Sequence, residues 1–132
     1  MNQRNVFFDE VRDAHVEIQQ WLRGEAALAR LPALLARFSP AFSMISPAGA
    51  KLDFLTLTAF FAGAHGKRPG LEIVIEDLET IDGNGDRAVI AYREWQAGGA
   101  GETTARHSTA VMVRDGEGRI EWLRLHETAC AG

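Results

Sequence analysis

The sequence predicts an α+β fold, with three helices in the first half of the chain set against a mostly antiparallel sheet whose long strands come from the second half. Three observations predict it. Apolar residues recur at helical spacing in 6–22 and 54–64; strand-like runs separated by Gly-containing turns fill the chain from Leu71 onward; and no strand–helix–strand alternation of the kind that builds a parallel sheet interrupts them.

Taken in order, Phe7, Val11, Ala14, Ile18 and Trp21 alternate steps of four and three, which puts them on one stripe of an amphipathic helix from Val6 to Leu22. Asn5 can cap its start, and Gly24 ends it. His15 stands one turn from both Val11 and Ile18, so it borders the buried stripe; it is either a packed histidine or a pocket-lining group. Pro32 disfavours helix at Leu31 and suits a first helical turn, so a short second helix runs from Pro32 to about Arg37. Phe42, Met44 and Ile45 then read as a strand over Pro40 to Ser46, and Pro47-Ala48-Gly49 turns into a brief return strand at Lys51-Leu52. Asp53 caps a third helix through Ala64, with Phe54, Leu57, Phe60, Phe61 and Ala64 as its core face.

Two long strands follow, Leu71 to Ile81 and Arg87 to Gln96, joined by the turn Asp82-Gly83-Asn84-Gly85. Glu72, Glu76, Asp77 and Glu79 read as a solvated strand face rather than a metal site. Thr103 to Thr128 form a hairpin around Asp115-Gly116-Glu117-Gly118. A two- or four-residue loop pairs Val113 with Ile120, Val111 with Trp122, Thr109 with Arg124 and His107 with His126. The opposite face sets Ala110 against Leu123, Ser108 against Leu125 and Arg106 against Glu127.

At 132 residues the chain fits one domain, residues 1–132, able to bury roughly two-thirds of its unfolded surface. Its composition, 46% hydrophobic and 24% charged, excludes a wholly disordered chain. A net charge of -4 and no cationic run longer than Lys67-Arg68 remove the electrostatic footprint that nucleic acid or an anionic membrane requires, so neither is an expected partner. The longest nearly apolar stretch, Phe54 to Ala64, is far short of the ~20 residues that span a bilayer. Cys130 is the only cysteine, so no intrachain disulfide can form. The expectation is a cytoplasmic protein with no cofactor and no metal.

Two segments carry a resemblance. Leu34-Leu35-Ala36-Arg37-Phe38-Ser39-Pro40-Ala41-Phe42 and the final Ser108 to Gly116 and Leu125-His126-Glu127-Thr128, in this order of elements, resemble the nuclear-transport-factor-2-like superfamily, and within it the DUF4440 and SnoaL-like bacterial proteins. The resemblance spans nearly the whole chain and implies a cone-shaped fold, in which three helices pack on the concave face of a curved sheet around a pocket. It implies that His126 points into that pocket. The hairpin pairing then adds His107, Arg124 and Trp122, and the preceding strand adds either Tyr92 and Glu94 or Arg93 and Trp95, of which we take Tyr92 and Glu94.

These residues suggest chemistry of three classes. The first is a small-molecule-binding protein, in which Arg124 holds a carboxylate-bearing ligand between aromatic walls from Trp21, Phe42 and Trp122, with His15, Tyr92 and Glu94 completing the lining. The second is a small lyase or isomerase with His107 and His126 as acid and base, since imidazole transfers protons near neutrality. The ketosteroid isomerases of this superfamily take a carboxylate base from the first strand, where this chain has Ser43, Met44 and Ile45. The third is a non-catalytic homodimer, formed through a convex sheet face carrying Leu123, Leu125, Ala110 and Val89.

Overall fold

The computed structural model describes residues 5–99 and 101–130; residues 1–4 of the polar N-terminus, Ala100 of the Gly-rich connection and the last two residues lie outside them. Helix α1 spans Val6–Arg23. The Asn5 side chain accepts from the Phe7 and Phe8 amides at 3.1 Å each, and Gly24 closes the helix in the left-handed conformation at φ 81°. A 3-10 turn, Leu28–Arg30, leads into the short α2, Leu31–Leu35.

Strand β1, Phe38–Ile45, begins two residues before Pro40, because the Trp122 amide donates to the Arg37 carbonyl at 2.9 Å and ties this end of the strand to the last one. Pro40, which has no N–H to give, falls in the stretch where the register of β1 shifts. Strand β2, Lys51–Asp53, runs straight into α3, Phe54–Ala64, where Asp53 accepts from the Thr56 amide at 2.9 Å. Four long strands complete the chain: β3 Glu72–Gly83, β4 Arg87–Ala97, β5 Thr104–Arg114 and β6 Ile120–Ala129.

The six strands form one sheet in the order β2-β1-β6-β5-β4-β3. Every pair is antiparallel except β1 with β6, which brings the first strand against the last. Val11, Ala14 and Trp21 of α1, Leu34 of α2, and Leu57 and Phe61 of α3 bury their side chains against the inner face of this sheet. Burying a large apolar side chain stabilises by about 1.5–3 kcal/mol. Arg37 locks the helices to the sheet: its guanidinium donates to Glu10 at 2.7 and 2.8 Å and to Glu17 at 2.7 Å, while the Trp122 indole N–H reaches Glu10 at 3.1 Å.

The hairpin register differs from the expected one in two steps. Asp115 N donates to the Arg119 carbonyl at 2.9 Å, so the loop has three residues, ending on Gly118 at φ 85°. A type I turn followed by a left-handed glycine is the usual three-residue solution, and an odd loop shifts the pairing by one residue. Arg114 therefore pairs with Ile120 and Met112 with Trp122. A bulge at Leu123 then adds a second step, after which Val111 pairs with Arg124, Ala110 with Leu125 and Ser108 with Glu127. Trp122 points inward above the bulge, and Leu125 and Glu127 point inward below it.

The same two steps remove half of the expected convex apolar set. Ala110 and Leu125 are buried in the core, at 0% and 8% exposure, while Val89 and Leu123 are half-buried. Val74 and Ile81 of β3 are the exposed apolar residues nearest to that description. The loop after α3 packs against the end of α1: the Gly66 amide donates to the Trp21 carbonyl at 3.1 Å and the Arg68 amide to the Leu22 carbonyl at 2.9 Å. This approach needs glycine, because a Cβ on Gly24 would stand 3.1 Å from the Gly66 Cα.

Candidate functional site

A cavity of about 600 Å³ opens between α1, α3 and the inner face of the sheet. Most of its wall is apolar, from Ile18 and Leu22 of α1, Phe38 and Met44 of β1, Leu57 and Phe61 of α3, and Leu125 of β6. Phe60, half-exposed at 52%, stands at its edge. The polar lining is concentrated on one side: His15 from α1, Lys67 and Arg68 from the loop after α3, Glu94 and Gln96 from β4, Arg106 from β5 and Glu127 from β6. Alternation along each strand sends Glu94 and Gln96 inward together, and the Leu123 bulge sends Glu127 after them.

His15 holds the centre of this polar side. Its Nδ1 lies 2.7 Å from the Val11 carbonyl and its Nε2 3.1 Å from Glu94 Oε1. Both partners are acceptors, so the ring donates from both nitrogens only as an imidazolium. Burial by itself would lower the His15 pKa, but the Glu94 carboxylate and the Val11 carbonyl outweigh it, and the net displacement is upward from 6.5. The rings of Tyr92 and Trp122 stand edge-on to the imidazole, 5.6 and 6.0 Å away.

The two carboxylates of the cavity are displaced in opposite directions by their partners. For Glu94, burial would raise the pKa, but the charge and hydrogen bond of His15, the Gln96 amide at 2.7 Å and the charge of Arg106 bring it down from 4.5 to about 2. For Glu127, burial and the neighbouring Glu94 charge raise the pKa, and Arg106 and His15 offset this only in part. Tyr92 is driven well above its ordinary value by burial and by both carboxylates, so it stays a neutral phenol. Among the described residues its hydroxyl is buried without a hydrogen-bond partner, although the Ser108 hydroxyl stands close by. Arg68 is oriented by donating from Nη1 to the side-chain Oε1 of Gln96 at 2.6 Å.

The residues singled out from sequence divide into three groups. His15 and Glu94 line the cavity, with Tyr92 and Trp122 packed directly behind the imidazole. Trp21 and Phe42 are core, each 2% exposed, and the Trp21 indole donates to the Phe61 carbonyl at 2.8 Å instead of facing the pocket. Arg124, His107 and His126 are exposed on the outer face, so the expected histidine pair and carboxylate anchor do not reach the cavity. Arg124 instead donates to the Ser43 hydroxyl at 2.8 Å, and Thr109, not His107, stands opposite His126. The physical reason is the pair of register steps, the odd loop and the bulge.

Sequence reasoning missed Arg68, Gln96, Arg106 and Glu127 as lining groups. The hairpin pattern sets Arg106 against Glu127 on the face expected to be outward; in the structure Ser108 stands opposite Glu127, and Arg106 reaches it diagonally at 3.4 Å. Gly118 was the available signal, since glycine at the end of such a loop marks the left-handed position of a three-residue turn. Among the described residues, no three His, Cys, Asp or Glu side chains are grouped to hold a metal ion, and no helix is long and apolar enough to cross a membrane.

No family model and no curated protein sequence matches the chain. Solved structures do. An NTF2-like protein of unknown function from Pseudomonas aeruginosa is 41% identical, with a TM-score of 0.92 over 96% of this chain and 100% of that one. An NTF2-like protein from Cytophaga hutchinsonii shares the fold at 18% identity and a TM-score of 0.70, covering 98% of this chain and 100% of its own. The CaMKII hub of S. rosetta does so at 17% identity and 0.69, covering 92% and 95%. With that identity to the Pseudomonas protein over nearly its whole length, the chain belongs to the nuclear-transport-factor-2-like family.

Proposed function

We propose that the protein binds a small, largely apolar molecule bearing an acidic group, a carboxylate in the first instance, inside its cone cavity. One observation carries this reading. Within an apolar wall, the charged lining is cationic in balance: Lys67, Arg68, Arg106 and the imidazolium of His15 against Glu94 and Glu127. Arg68 and Arg106 take the anchoring role first expected of Arg124, and a guanidinium beside apolar walls suits a carboxylate in geometry as well as charge. A cytoplasmic setting goes with this reading, since the lone Cys130 has no second cysteine in the chain to pair with.

Thermal shift and calorimetry against aryl and medium-chain carboxylates, with the matching primary amides as controls, test the reading. Carboxylates are expected to stabilise wild type, the amides much less, and Arg68→Ala with Arg106→Ala to remove the difference. Equal response to amides would eliminate the anionic ligand.

A second reading, a small lyase or isomerase, draws support from the opposite displacement of the Glu94 and Glu127 pKa values, a pattern typical of acid–base pairs. In that case the proton-transfer groups are His15, Glu94 and Glu127 rather than His107 and His126. Turnover of enolisable ketones or hydroxy acids, abolished in Glu127→Gln, would support it; an inactive wild type across both compound classes would remove it. A homodimer through the convex face remains part of either reading, supported by the exposure of Val74 and Ile81 at 50% and 56%. Light scattering on wild type and Val74→Glu is its test: a monomeric wild type ends it.

A further inference from the structure

Glu127 is held less closely by its partners than Glu94, which has His15 at 3.1 Å and the Gln96 amide at 2.7 Å. Glu127 is 7% exposed, and its two side-chain contacts are long: Arg106 Nη1 at 3.4 Å and the Ser108 hydroxyl at 3.5 Å. The groups that act on it are His15 from α1, Tyr92 and Glu94 from β4, and Arg106 and Ser108 from β5. Its parallel neighbour β1 adds Met44 to the cavity wall, which does not ionise. Within this set Glu94 repels a second negative charge, Tyr92 is a neutral phenol, and the positive charge of His15 is already committed to Glu94 at 3.1 Å.

Arg106 connects the two carboxylates. It is the cross-strand partner of Glu94 and the nearest cation to Glu127. An acidic ligand group that reaches the Arg106 guanidinium therefore arrives beside Glu127 as well. Two carboxylates crowded at one guanidinium in a buried site do not both stay ionised at low cost, and sharing a proton is the usual resolution.

We propose that Glu127 receives the ligand's carboxylate as a neutral acid, donating its O–H to a ligand oxygen beside Arg106, so that binding takes up one proton from solvent per molecule bound. This rests on the anionic-ligand reading above and specifies how the site recognises that ligand. The upward displacement of the Glu127 pKa acts in the same direction, because it lowers the cost of adding the proton near neutral pH. Binding then weakens as pH rises, although the ligand itself stays fully ionised. The site also prefers carboxylates to sulfonates of the same shape, since a sulfonate is the weaker acceptor for a shared proton.

The test is calorimetric titration of the full chain with octanoate and with 3-phenylpropionate, repeated in buffers of different ionisation enthalpy. Near neutral pH, wild type is expected to take up close to one proton per carboxylate bound, and Kd to weaken by up to about tenfold per pH unit above neutrality. Glu127→Gln, which keeps the size and can still donate from its amide, is expected to bind without proton uptake and with a nearly flat pH profile. In wild type, an infrared difference spectrum should show the carbonyl stretch of a protonated carboxyl appearing on binding, a readout that does not depend on the variant's folding. Binding without proton uptake, or uptake that persists in a folded Glu127→Gln, overturns this proposal alone. No binding of either probe by wild type overturns the anionic-ligand reading together with it.

Discussion

The concave and convex faces of the same strands treat charge in opposite ways, and Arg93 and Glu94, adjacent in sequence, show how. Arg93 turns outward, where it donates to Glu76 at 2.8–2.9 Å and lies over the Trp95 ring at 5.0 Å, with the two charged side chains 35% and 38% exposed. Water and salt screen that cluster, so it contributes little. Glu94 turns inward, where its side chain is 4% exposed and meets His15 and Gln96. There the lost hydration is large and the partners are fixed, so neither member can be removed without stranding the other. One step along a strand separates a replaceable ion pair from an indispensable one.

The largest expected effect comes from inserting one residue after Arg124, which, with the Leu123 bulge kept, would exchange the two faces of the last strand beyond it. His126 would turn inward and Leu125 and Glu127 outward, and the variant is expected not to fold, as read by circular dichroism and soluble yield. A stable, native-like insertion variant would break the comparison at its root. Next, Glu94→Ala leaves the buried imidazole without its carboxylate and is expected to cost about 3–5 kcal/mol in urea unfolding near neutral pH. His15→Ala combined with it should recover part of that loss, a coupling that a double-mutant cycle measures.

The pH dependence of stability sharpens the contrast further. The His15 pKa is raised in the fold, so its contribution is complete below the ordinary 6.5 and is lost as pH rises through the folded value. The Glu94 pKa falls from 4.5 to about 2, so its contribution is complete above 4.5 and is lost as pH falls toward 2. Glu127, raised, adds to the decline on the alkaline side as its proton leaves. Thermal melts across pH should therefore show a maximum in the weakly acidic range, with both limbs shallower in Glu94→Gln. The smallest effect belongs to Arg93→Ala: a melting temperature close to wild type, reduced further in its difference by added salt. A loss as large as that of Glu94→Ala would show that exposure is not what separates the two faces.

The elements of the chain were legible because local chemistry marks them. The four-and-three spacing of α1, the caps Asn5, Gly24 and Asp53, and the turn at Asp115 each act within a few residues of themselves. Strand register was legible only in part. The three-residue loop has a marker in Gly118, whereas the bulge at Leu123 has none, since a leucine there looks like any other strand residue. That single extra residue moved Arg124 and His126 out of the site and Glu127 into it. Arg68 was illegible for another reason: its place in the cavity depends on the approach of Gly66 to Gly24, a contact between segments more than forty positions apart.

The parallel pairing of β1 with β6 has a consequence for how the protein is made. A chain emerging from the ribosome has its helices and first strand early, yet that strand stays without its main neighbour until the C-terminal segment has left the exit tunnel. The nascent protein must keep an unsealed apolar edge soluble for most of its synthesis, and completion is set by a contact spanning most of the chain length, the kind that slows folding.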